Sequence, residues 1–264
     1  MMIDGFNNIV TLLDYRLQEK PRGFEFFARE VLSMFLRAFE ADTKTVYVSG
    51  YAFPMELLWA FDVVPFDLEI ACNNLPAVIG GHGSSLMVPA ENEGYSRNIC
   101  SFHRLILGCL EALPPADLYL TSSYYCHGKA KASEIVADHF GEKVVLFDVP
   151  HEQSEAAVAY VAAQLRDIAA RLEEVTGTKL DEARLRECLR SSNRARASLT
   201  RINELMRARP APYDGVKACL LGLGGALFWG SPVREKIHGL VLDEISDRIA
   251  AGSARPERRR VLWY

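Results

Sequence analysis

The sequence predicts an α/β protein, with a Rossmann-like parallel sheet over residues 1–150 followed by a mainly helical region. Three observations predict it. Short β-prone runs alternate with helical stretches up to Pro150, long amphipathic stripes follow with no strand among them, and a last β-prone run stands at "RRRVLWY". Strands separated by helices of roughly ten or more residues build open parallel sheets covered on both faces, because a crossover between parallel neighbours needs that length.

The elements follow in order. "FEFFAREVLSMFLRAF" has helical periodicity, and "TKTVYVSG" is a compact β-prone run ending at a glycine. "FPMELLWAF" is expected to start a helix at Pro54, where a missing N–H costs nothing, and "VVPF" opens another extended piece. The alternation repeats. "SFHRLILGCLEAL" carries Phe102, Leu105, Ile106 and Cys109 on one side, "ADLYLTSS" reads as a strand, "GKAKASEIVADHFG" as a helix with a glycine stop, and "KVVLFDVP" as a strand.

Beyond Pro150, "SEAAVAYVAAQLRDIAARLEEVTG" sets Val158, Val161, Leu165, Ile168, Leu172 and Val175 on one stripe. A second stripe runs through Leu185, Leu189, Leu199, Ile202 and Leu205 or Met206 and ends at Pro210. The two are expected to form an antiparallel pair joined by "TGTK". "YDGVKACLLGLGGALFWG" and "SPVREKIHGLVLDEISDRIAAG" supply two further helices. The expected organisation is therefore 1–150 as an α/β domain, 151–256 as a helical connecting and partner-binding region, and 257–264 either as the start of a second α/β domain most of which is missing or as an edge strand, Val261 to Tyr264, added to the first sheet.

Composition narrows the function. A 264-residue chain that is 49% hydrophobic fills a sizeable core, and a net charge of −4 provides no broad cationic field for nucleic acid or an anionic membrane. The opening residues lack a secretory leader, and no apolar run is long enough to span a bilayer, so a cytoplasmic protein is expected. Six cysteines in such a chain read as reduced thiols or metal thiolates.

Two of these cysteines border turns. Cys126 follows the strand "LYLTSSYY" and precedes a helix, at the end of a strand where open α/β sheets expose residues to ligands. Cys100 also stands just ahead of a helix. N–H groups at helix starts favour thiolates, so both residues are candidate metal ligands. Their 26-residue separation is no compact motif, and a packed cysteine or a redox thiol accounts for each as well. Cys109, Cys188 and Cys219 read as core residues, and Cys72 as part of a loop, "IACNNLP", after a strand. "GGHGSS" lacks the order of a phosphate-binding loop or a dinucleotide fingerprint and reads as a substrate-facing loop. Arg97 and Arg104 are candidates to meet an anionic ligand, or ordinary salt-bridging residues. His151 is expected to position the helix that follows it.

The order of "YVSGYAFPMELLWAFDVVPFDL", "RNICSFHR", "ADLYLTSSYYCHGKAK", "VVLFDVPHEQSEAAVAYVAAQLRDIAARLEEVTG" and "RRRVLWY" resembles the 2-hydroxyacyl-CoA dehydratase family, which also contains subunits of ATP-dependent benzoyl-CoA reductase. The resemblance runs over nearly the whole chain. It implies that 1–150 is a cluster-binding domain, for a [4Fe-4S] cluster with Cys100 and Cys126 at two ligand positions, and a third ligand from a second α/β domain. It further implies an acyl-CoA thioester substrate, a homologous subunit or homodimer using helices between His151 and Gly252, and a separate ATP-dependent activator that delivers an electron. His127 stands where the family usually has aspartate. His127 and His103 are accordingly candidates to tune the centre or face the substrate, and helix-start or structural histidines otherwise. A double-cubane-type reductase of small molecules and a non-catalytic assembly module are the competing readings.

Overall fold

A computed structural model describes residues 2–48, 53–79, 83–254, 256, 257 and 259. Among these, four strands form one parallel sheet in the order β2-β1-β3-β4: β1 (Thr45–Val48), β2 (Val64–Asp67), β3 (Leu118–Ser122) and β4 (Val144–Phe147). Thr45 pairs with Val64, Tyr47 with Tyr119, and Tyr119 with Val144. Pro65 has no N–H to give a ladder and falls on an edge strand, where that loss is tolerated. Strands β1, β2 and β3 are buried along their length, as a parallel sheet covered by helices requires.

The helices are α1 (Met2–Glu19), α2 (Gly23–Arg37), α3 (Met55–Trp59), α4 (Leu68–Ile79), α5 (Gly83–Asn92), α6 (Ser101–Gly108), α7 (His127–His139), α8 (Glu155–Thr176), α9 (Glu182–Leu205), α10 (Gly215–Gly224) and α11 (Pro232–Ala250). The parallel sheet followed by a largely helical region is the expected fold. Helix α2 packs on β2, α7 on β3 and β4, and α8 on β4. Aromatic rings fill the space between α2 and the sheet: Phe66 lies 5.0 Å from Phe35 and 5.1 Å from Tyr47, whose ring meets Tyr119 at 5.1 Å. The Tyr47 hydroxyl donates to the Pro114 carbonyl, which removes the cost of burying it. The glycine stop after α7 is Gly141, at φ 73°.

Several expectations are corrected. Helix α1 is an addition to the expected elements. "IACNNLP" is not a loop: Cys72 is fully buried within α4, whose first turn is capped by the Asp67 carboxylate accepting from the Glu69 and Ile70 N–H groups. Gly83 to Ser85 open helix α5, while Gly80, Gly81 and His82 lie outside the described residues. Gly50 and residues 260–264 of "RRRVLWY" also lie outside them.

The expected α8–α9 pair does not pack as one. Among the described residues α9 lies chiefly against α11 and α3, and α8 against β4. Val158 is 70% exposed and Leu189 faces solvent, so each stripe is narrower than its periodicity implies. The inward side of α9 is Cys188, Ser191, Ser192, Ala195 and Ile202, with Ser192 bonded to Glu56 and Ser191 to Glu235. Cys219 is exposed on α10 rather than packed. His151 does not cap α8; the Ser154 hydroxyl accepts from the Ala157 N–H instead.

A candidate thiol site at the carboxyl end of the sheet

In a parallel sheet all strands end on the same side, and the loops leaving β2 and β3 therefore share one edge. Helix α6 packs on α7 and α4, and its first turn reaches that edge through His103, which meets Cys126. Cys100 is the residue preceding α6, exposed, with its side chain unused in capping. Cys126 precedes α7 in the same way and is half-buried.

The turn that delivers Cys126 is unusual. Tyr125 has φ 80°, and the Cys126 N–H reaches back to the Tyr124 carbonyl at 3.1 Å, closing a three-residue γ-type turn. A non-glycine residue held there costs roughly 1–3 kcal/mol, a strain that surrounding structure must offset. The turn also leaves the Tyr124 and Tyr125 rings largely exposed beside the thiol, with centroids 6.4 Å apart.

His103 joins the two helix starts. It lies one turn beyond Cys100, is buried, and places Nε2 3.7 Å from the Cys126 Sγ. The ring rests on Gly128: a Cβ there would stand 2.4 Å from His103 Cε1. Burial pushes the imidazole pKa down, nearby Glu69 opposes that, and Lys129 adds to it.

Beneath this contact is a buried group of charges. The Lys129 ammonium sits 3.4 Å from Asp67 Oδ2 and 3.1 Å from Glu69 Oε2. It joins the first turn of α7 to the end of β2 and the first turn of α4. Sequence reasoning missed these three residues and the two tyrosines. The acidic pair in "PFDLE" at a strand end was the available signal.

The other candidates divide. Arg97 and Arg104 both pair with Glu91, at 2.8 and 2.5 Å, which favours the salt-bridging reading; Arg104 Nε is buried without a partner. His127 is exposed at the first position of α7. All six cysteines are free thiols. Cys72 and Cys109 are core residues that hydrogen-bond each other, and that contact together with burial holds the Cys72 thiol protonated.

The donor set fits part of an iron-sulfur site. Two thiols whose side chains are not spent on capping stand at helix starts on one edge of the sheet, and among the described residues no group of three or more His, Cys, Asp or Glu side chains is arranged around a metal. Two thiolates supply two of a cubane's four positions.

A parallel α/β protein with thiols at the starts of two of its helices is the class that this geometry defines. The family described as "2-hydroxyglutaryl-CoA dehydratase, D-component" matches residues 51–264, and the chain belongs to it. It is similar to the (R)-phenyllactyl-CoA dehydratase alpha subunit of Clostridium sporogenes, with 23% identity over 69% of this chain and 48% of the relative. It is similar also to a benzoyl-CoA reductase subunit of Thauera aromatica, with 26% identity over 75% of this chain and 49% of that one. The (R)-2-hydroxyisocaproyl-CoA dehydratase alpha subunit of Clostridioides difficile is 23% identical over 83% and 57%. The chain spans about half the length of the curated relatives it matches. Among the described residues no helix is long and apolar enough to cross a membrane.

Proposed function

We propose that this chain is the cluster-bearing part of an enzyme subunit that removes water from, or reduces, an acyl-CoA thioester. The observation that supports the reading is the contact between the first turn of α6 and the start of α7, where His103, one turn beyond Cys100, stands against the Cys126 sulfur. Family membership supports the reaction class. Cys100 and Cys126 would hold a [4Fe-4S] cluster, and the remaining positions would be filled from outside the described residues.

When bound, the cluster supplies a low-potential electron to the thioester carbonyl, which makes an otherwise poorly activated hydrogen or hydroxyl removable. The chain's own residues do the rest. The γ-type turn at Tyr125 aims the Cys126 sulfur, the exposed Tyr124 and Tyr125 rings offer an apolar wall for the acyl group, and Lys129 ties the cysteine-bearing helix start to β2. A homologous subunit and a separate ATP-dependent activator complete the system; the sequence carries no phosphate-binding loop of its own.

The test is an anaerobic incubation of the native protein with its partner subunit and activator on a panel of acyl-CoA thioesters. Water loss from a 2-hydroxyacyl-CoA, or two-electron reduction of an aromatic acyl-CoA, supports the proposal. An iron-loaded protein inert to every thioester but reducing small molecules supports the double-cubane-type reading. A colourless, iron-free protein supports an assembly module.

A further inference from the structure

We propose that His103 is a positioning residue for the Cys126 ligand, donating its Nε2 proton to the sulfur and thereby setting the reduction potential of the centre that Cys126 holds. The inference rests on the cluster reading above and deepens it. His103 is buried on α6 and its Nε2 lies 3.7 Å from Cys126 Sγ, so the contact links two segments 23 residues apart. A thiolate bound to iron has no proton to give. The nitrogen facing it must then be the donor, and this selects the Nε2–H tautomer. Hydrogen bonds to ligand sulfur stabilise the more negative, reduced state and are one of the levers by which proteins set cluster potentials.

The surroundings hold the ring in that pose. Gly128, in the first turn of α7, leaves the space the imidazole occupies; a Cβ would come within 2.4 Å of Cε1 and 2.8 Å of Nδ1. Gly128 therefore acts through His103, and an alanine there displaces the ring while leaving both the imidazole and the thiol in the chain. The bonded Lys129, Asp67 and Glu69 side chains fix the start of α7 relative to α4. Cys100, one turn upstream of His103 on α6, is carried by the same rigid element.

The experiment has two arms on the full native protein. In the first, the potential and electron paramagnetic resonance spectrum of the reduced cluster are compared in wild type, His103→Leu, His103→Gln and Gly128→Ala, prepared anaerobically. The expected result is a more negative potential and an altered spectrum in His103→Leu and Gly128→Ala at wild-type iron content. His103→Gln, whose amide N–H reaches in the same direction, returns part of the way. Iron lost in His103→Leu and regained in His103→Gln supports the same role. Equal potentials in all four proteins overturn the proposal and leave the cluster reading standing, whereas a wild-type protein that takes up no iron overturns both. The second arm needs no metal: side-chain 1H–15N spectra of the iron-free chain should show the His103 Nε2 resonance moving on Cys126→Ala and on Gly128→Ala. An unmoved resonance overturns the contact itself.

Discussion

Replacing Lys129 by methionine removes the cation from the buried charges beside the candidate site and keeps most of the side chain's volume. Lys129 is 5% exposed and Asp67 fully buried, with ion-pair distances of 3.4 Å to Asp67 and 3.1 Å to Glu69. Breaking a buried pair from one side costs roughly 3–5 kcal/mol, because the remaining charge is left without its partner. Asp67 keeps some support: its other oxygen accepts two N–H groups at the start of α4, where the helix end favours negative charge. That places the expected loss near the lower bound, about 3 kcal/mol. For a chain of this size the melting temperature should fall by roughly 6–12 °C. Circular dichroism melts and urea titrations of Lys129→Met, Glu69→Gln and the double variant measure it. The double variant should be more stable than Lys129→Met alone, since the second change removes one of the two carboxylate charges that faced the ammonium. A loss under about 1 kcal/mol, as for exposed pairs, with no coupling in the cycle would refute the reasoning.

Two further outcomes follow from the helical region. A Cβ on Gly225 would lie 1.4 Å from the Arg234 Nη1, a buried guanidinium bonded to the Leu221 carbonyl and set 4.7 Å from the Trp229 ring. Gly225→Ala should therefore cost ~1–3 kcal/mol or more, while Gly222→Ala in α10, with nothing within 4 Å, should stabilise by up to ~1 kcal/mol; equal effects in denaturant titrations would contradict this. Burial, aided by Arg234, lowers His238 to about 4, and its Nδ1 faces the Ala195 carbonyl at 2.8 Å. An unfolded histidine titrates near 6.5, so the unfolded chain binds more protons between those values. The stabilisation is complete above about pH 6.5 and roughly 3 kcal/mol of it is lost as pH falls towards 4. His238→Asn should flatten this dependence in urea titrations between pH 7 and 4.5, and an unchanged slope would remove His238 as its source.

The sheet was legible because each strand is a short apolar run bounded by turn residues. Helix α4 was not, since "CNNLP" carries residues that commonly break helices. Here Asn73 and Asn74 instead donate to the carbonyls of Glu69 and Ile70 one turn back, and Asp67 caps the start. The short "TGTK" link implied neighbouring helices, but the buried faces of α8 and α9 found separate partners in β4 and α11. Turn placement made Cys100 and Cys126 visible as candidates. The link from α6 to Cys126 through His103 depends on α6 packing on α7, which local pattern does not encode. Nothing in "HGKAK" separates Lys129 from Lys131, yet the first is buried between two carboxylates and the second has a side chain 74% exposed.

The central claim is that the thiols at the sheet's carboxyl end hold iron, and iron and acid-labile sulfide in anaerobically purified native protein test it most directly. Wild type should carry about four irons per site with broad thiolate-to-iron absorbance. Cys126→Ser should lose most of that iron with its helical circular dichroism intact, and Cys188→Ser, altered on the packed side of α9, should keep it. Full iron in Cys126→Ser, or equal loss in both variants, would contradict the account.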